Sequence, residues 1–86
     1  MTITPIDSTT IACGERNSKV TLLDISDRAN IKSLGKFGFK NLVVTCTPID
    51  STTIACGGGD KKVTLLDISD RANIKSLGDF NLNILY

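Results

Sequence analysis

The chain has 86 residues, with ten basic and nine acidic side chains, a net charge of +1, 41% hydrophobic residues and 22% charged residues. That length bounds it to one small domain at most, and the composition is that of a soluble globular chain rather than a disordered one. The near-zero charge excludes a strong electrostatic footprint for nucleic acid or an anionic membrane, and the absence of histidine and tryptophan removes the usual general base, the commonest zinc ligand and the best sugar-stacking ring.

Taken in chain order, the elements repeat. Thr4–Gly14 recurs as Thr47–Gly57 and Lys19–Gly35 recurs as Lys62–Gly78, always at an offset of 43, so that two units, 1–43 and 44–86, account for the chain. The differences gather at Glu15–Ser18 and from Lys36 onward. Identity this high implies a recent duplication or an engineered one. Read in the second copy, residues 41–47 are β-branched and apolar and predict a strand, and Thr47–Ser51 predicts a turn set by Pro48 and Asp50. Residues 52–56 predict a second strand, Gly57–Lys61 a hairpin turn whose glycines supply positive φ, and 62–68 a third strand that is apolar on both faces. Ser69–Asn73 is then a turn and 74–78 a weaker, wetter fourth strand.

This pattern predicts an all-β fold: four short antiparallel strands per 43-residue period, the spacing of a β-propeller blade. Leucine-rich horseshoes have shorter periods and are excluded. An eight-stranded face-to-face sandwich is the competing arrangement.

Val20–Gly35 and its copy Val63–Gly78 resemble the LVIVD repeat of bacterial and archaeal β-propellers, with Asp24, Ile25, Ser26, Asp27, Asn30 and Gly35 at matching positions. The chain departs from that pattern at Arg28 and Ile31, and again at Arg71 and Ile74, where the family prefers proline. WD repeats are broader relatives, but their Trp-Asp pair is Leu23-Asp24 and Leu66-Asp67 here. The resemblance implies a fold and makes Asp24, Asp27, Asp67 and Asp70 structural turn residues. Proteins of that family are often at the cell surface.

Two blades cannot close a ring, and alone they leave two broad apolar faces in water. The expected partner is therefore the chain itself, joined head to tail: a homotrimer with six blades or a homotetramer with eight. Residues 1–43 carry six basic and four acidic groups and 44–86 carry four and five, an alternation that favours head-to-tail register weakly. The inner strand of the first copy is split between the ends of the chain. Asn83, Ile84, Leu85 and Tyr86 of one subunit are thus expected to continue into Met1, Thr2, Ile3 and Thr4 of the next, making these eight residues the subunit joint.

Nothing in the sequence marks a catalytic, cofactor or metal site. Gly57–Lys62 lacks the glycine spacing of a phosphate cradle and joins two strands. Paired glycosidase carboxylates stand about 5 to 9.5 Å apart, a separation not expected of equivalent positions on successive blades such as Asp24 and Asp67. Lys36–Lys40 interleaves lysine and phenylalanine, but its counterpart Asp79–Asn83 has lost both lysines. Ser8, Thr9 and Thr10 have no histidine to activate them. Cys13, Cys46 and Cys56 form no Cys-x-x-Cys pair and sit among apolar or small residues, where a thiol acts as a small buried hydrophobe. Met1–Thr4 has no signal-peptide character, which points to a soluble, cytoplasmic chain. The expected function is a non-enzymatic, self-assembling structural or interaction module. The alternative is a multivalent glycan-binding propeller, and an enzyme with a site in the central channel ranks third.

Overall fold

A computed structural model of the chain describes residues 2–15, 18–39, 43–58 and 61–81. They form eight strands: β1 (Thr2–Asp7), β2 (Thr10–Gly14), β3 (Lys19–Asp24), β4 (Lys32–Gly38), β5 (Val43–Asp50), β6 (Thr53–Gly58), β7 (Lys62–Asp67) and β8 (Lys75–Asn81). The strands make two antiparallel four-stranded meanders, in the orders β1-β2-β3-β4 and β5-β6-β7-β8. Among the described residues there is no helix, and hence none long and apolar enough to cross a membrane.

Local chemistry explains the folds in each meander. At the first hairpin Thr9 donates both its N–H and its hydroxyl to Asp7 Oδ1, at 2.9 and 3.0 Å, and Thr52 does the same to Asp50 at 2.9 Å. The turn is therefore Ser51–Thr52, later than the sequence suggests. β5 runs on through Pro48 to Asp50, with a register shift between those two residues that β1 repeats between Pro5 and Asp7. Proline is tolerated because β1 and β5 are edge strands, with a bulge to absorb it. Gly57 and Gly58 belong to β6 rather than to the next turn. Among the described residues, the positive φ there falls on Lys61 (59°) and, at the same repeat position, on Ser18 (70°). β8 extends to Asn81, beyond its expected end at Gly78, because Phe80 and Asn81 pair with Val63 and Lys62.

Side chains alternate between the two sides of a strand, and the two sheets use that alternation differently. The first sheet buries the side carrying Ala12, Val20 and Leu22, flanked by half-buried Ile6, Leu34 and Phe37. The second sheet buries the side carrying Cys46, Ile54, Cys56, Leu66, Ile68 and Ile74. These sets are not copies of each other. The repeats of Ala12, Val20 and Leu22 are Ala55, Val63 and Leu65, on the opposite side of the second sheet. The sheets therefore stack unlike side on unlike side, with their closest approach along β1, β2 and β5.

Two polar details lock this stacking. The Arg71 guanidinium, on the turn between β7 and β8, pairs with Asp7 Oδ2 at 3.1 Å and donates to the carbonyls of Ser51 and Ile68 at 2.9 and 3.0 Å. Gly35 of β4 lies so close to the Arg71 backbone that an added Cβ would overlap the Arg71 carbonyl oxygen. Glycine at that position is a packing requirement.

Candidate interaction surface

The side of the second sheet turned away from the core carries Ala55, Val63, Leu65, Leu77 and Phe80. Its register is that of the side which the first sheet buries, yet its exposure differs. Leu22 is 0% exposed and its repeat Leu65 is 39%, while half-buried Phe37 corresponds to Phe80 at 61%. Val63, Leu65, Leu77, Gly78, Asp79 and Phe80 line a shallow hollow of about 330 Å³. Gly78, the repeat of Gly35, has open space where its Cβ would project. This contiguous exposed apolar surface is the candidate interaction surface of the described residues.

The outward side of the first sheet is the reciprocal surface. Ile74 is 9% exposed in the core, but its repeat Ile31 is 58%. Ile54, Leu66 and Ile68 are fully buried, whereas Ile11, Leu23 and Ile25 are half-buried. Arg28 repeats Arg71 and donates to the Ser8 carbonyl at 3.5 Å. Among the described residues neither Arg28 nor Asp50, the repeat of Asp7, takes part in an ion pair.

The four turn aspartates have local roles. Asp24 and Asp67 accept the N–H of Ser26 and Ser69 at 2.9 Å, and Asp27 and Asp70 accept the N–H of Ala29 and Ala72 at 3.1 Å. Asn30 and Asn73 also donate to Asp27 and Asp70, at 3.2 and 3.1 Å. Backbone donation from Ser26 and Ser69 lowers the carboxyl pKa of Asp24 and Asp67, and the Asn73 side chain does so first for Asp70. Asp7 and Asp50 are lowered chiefly by the N–H of Thr9 and Thr52, with Arg71 a smaller influence on Asp7. Among the described residues no group of three or more Cys, Asp or Glu side chains is placed to hold a metal.

Of the residues expected at the subunit joint, Thr2, Ile3 and Thr4 lie in edge strand β1, with Ile3 60% exposed. Met1, Asn83, Ile84, Leu85 and Tyr86 lie outside the described residues. The cysteines are all buried, but they are not equivalent. Cys46 and Cys56 face each other across β5 and β6 with their Sγ atoms 3.2 Å apart, whereas Cys13 lies on the outward side of the first sheet opposite Ile3. That hydrogen bond lowers the pKa of Cys46 and, with burial, strongly raises that of Cys56. Sequence spacing alone hides the pair. It becomes legible only once the turn is placed at Ser51–Thr52, which sets residues 46 and 56 opposite each other.

Comparison with protein-family models, with curated proteins and with solved structures finds no match to this chain.

Proposed function

We propose that the chain is a non-enzymatic structural or interaction module: two propeller blades of the LVIVD-like type, completed into a closed ring by further copies of itself joined head to tail. One observation carries the reading. The two sheets stack unlike side on unlike side, so each outer surface repeats a surface that the chain already buries. An isologous sandwich would hide the same side of both sheets; this stacking leaves one of each open, and a heterologous contact continues until it closes or forms a fibre.

The internal joint supplies the pattern for the joint between copies. Leu65, Val63 and Phe80 of one copy receive Ile11, Leu23 and Ile31 of the next, as Leu22, Val20 and Phe37 receive Ile54, Leu66 and Ile74 within the chain. Asp50 then meets Arg28 of the next copy as Asp7 meets Arg71, and Gly78 seats the Arg28 backbone as Gly35 seats that of Arg71. Because the sheets approach most closely along β1, β2 and β5, successive sheets fan outward, the wedge that a ring requires.

Light scattering behind a sizing column tests the assembly. The expected mass is that of three or four chains, giving six or eight blades. A compact monomer at micromolar concentration would overturn the ring and leave the two-sheet unit as a complete molecule.

A further inference from the structure

We propose that Cys46 and Cys56 are a dithiol site that closes to a cross-strand disulfide when the chain meets a small disulfide oxidant, stapling edge strand β5 to β6. The two residues are direct partners in the antiparallel register, and their Sγ atoms stand 3.2 Å apart. Directly opposite residues in antiparallel strands have Cα atoms about 4.5 to 5.5 Å apart, inside the range a disulfide spans, and its sulfurs bond at about 2.05 Å. Closure therefore requires a movement of only about 1 Å between side chains already on one side of the sheet.

The site is specific to the second sheet. At the same position of the first sheet the register sets Ile3, not a cysteine, opposite Cys13. The three cysteines thus divide into one poised pair and one thiol without a cross-strand sulfur partner.

The chemistry is thiol–disulfide exchange with an oxidant such as glutathione disulfide. A thiolate at one of the two sites attacks one sulfur of the oxidant, which breaks the oxidant's S–S bond, forms a mixed disulfide and releases one glutathione thiolate. The second protein sulfur, after losing its proton, attacks the protein sulfur of that mixed disulfide and expels the second glutathione. The protein gives up two electrons and two protons, and the oxidant leaves as two glutathione thiols. Cys46 and Cys56 are 6% and 3% exposed, between the two sheets. The first attack therefore waits for the sheets to part, and the rate of closure reports that opening. Once formed, the bond ties down a strand that is otherwise held by a ladder on one side only. This inference does not depend on ring assembly.

Incubating the full chain with glutathione disulfide, with and without sub-denaturing urea, then alkylating and digesting with trypsin, tests the site. Cleavage after Lys40 and Lys61 puts Cys46 and Cys56 in one peptide, whereas Cys13 lies in another. The expected result is a 41–61 peptide two hydrogens lighter and unalkylated, with Cys13 alkylated, formed several-fold faster in urea. Three alkylated cysteines after opening, a bond to Cys13, or a glutathione adduct that never resolves would each overturn the proposal. Ile3→Cys provides a second test, because it sets a thiol opposite Cys13 on the outward side. Ile3 is 60% exposed in the single chain, so in chain dilute enough to be monomeric that variant should close its new bond without urea and before Cys46–Cys56. An Ile3→Cys chain that oxidises no faster than the wild-type pair would sink the argument from burial.

Discussion

At the level of single residues, the most informative side chains are short acids that hold turns. Asp7, Asp24, Asp50, Asp67 and Asp70 all have pKa values below the ordinary carboxylate range, because the folded turns donate hydrogen bonds to their charged forms. A folded-state pKa below the unfolded value means that the unfolded chain takes up protons first. The stability from these turns is complete above the unfolded pKa of about 3.9 and is lost as pH falls through the lower folded values. Urea unfolding at fixed protein concentration should thus be flat with respect to these groups from about pH 5 to 7, and its midpoint should fall steadily below about pH 4. A midpoint that rises on acidification would contradict the turn assignments. The turn role of Asp50, and through the repeat that of Asp7, was legible in the sequence from an acid followed by serine beside a strand end, whereas the turn roles of Asp24, Asp67 and Asp70 were implied by the resemblance to a known repeat.

The strands show how identical sequences acquire different worth. Leu22 and Leu65 occupy the same place in the repeat, yet one is enclosed and the other is 39% exposed. In chain dilute enough to be monomeric, Leu22→Ala should cost about 3 kcal/mol of unfolding free energy. Leu65→Ala should cost less than about 1 kcal/mol under the same conditions. Equal losses would show that both sides of the second sheet are covered. Glycines give the complementary contrast. Gly35→Ala forces its new methyl into the Arg71 carbonyl and should destabilise the sheet-to-sheet contact by about 1 to 3 kcal/mol, read as a lowered denaturation midpoint. Most strands could be read from β-branched and apolar runs. The bulges at Pro5 and Pro48 could not, because a proline next to an Asx turn looks like the turn itself until a partner strand fixes the register.

For the whole molecule, the prediction concerns the proposed joint between copies. Reversing one charge, as in Arg28→Glu, should shift the sizing-column profile toward smaller species. That change does not touch the Arg71–Asp7 pair inside the chain. Leu65→Glu places a charge at the centre of the open hollow and should yield a folded monomer with its β-sheet circular dichroism retained. Assembly unaffected by both of these variants would mean that copies meet through some other surface.

The repeat, the all-β pattern and the turn acids follow from the sequence alone, because alternation, β-branching and Asx chemistry act over a few residues and need no partner. The side of each sheet that becomes core does not follow from it. Val20–Leu22 and Val63–Leu65 are the same residues, and the third strand is apolar on both sides, so no local pattern separates inner from outer. Only the stacking decides that Leu22 and Leu66 are enclosed while Leu65 meets solvent, and that Cys46 and Cys56 face each other across one ladder. Burial depends on what another sheet covers, and that is a property of the packed chain rather than of any segment in it.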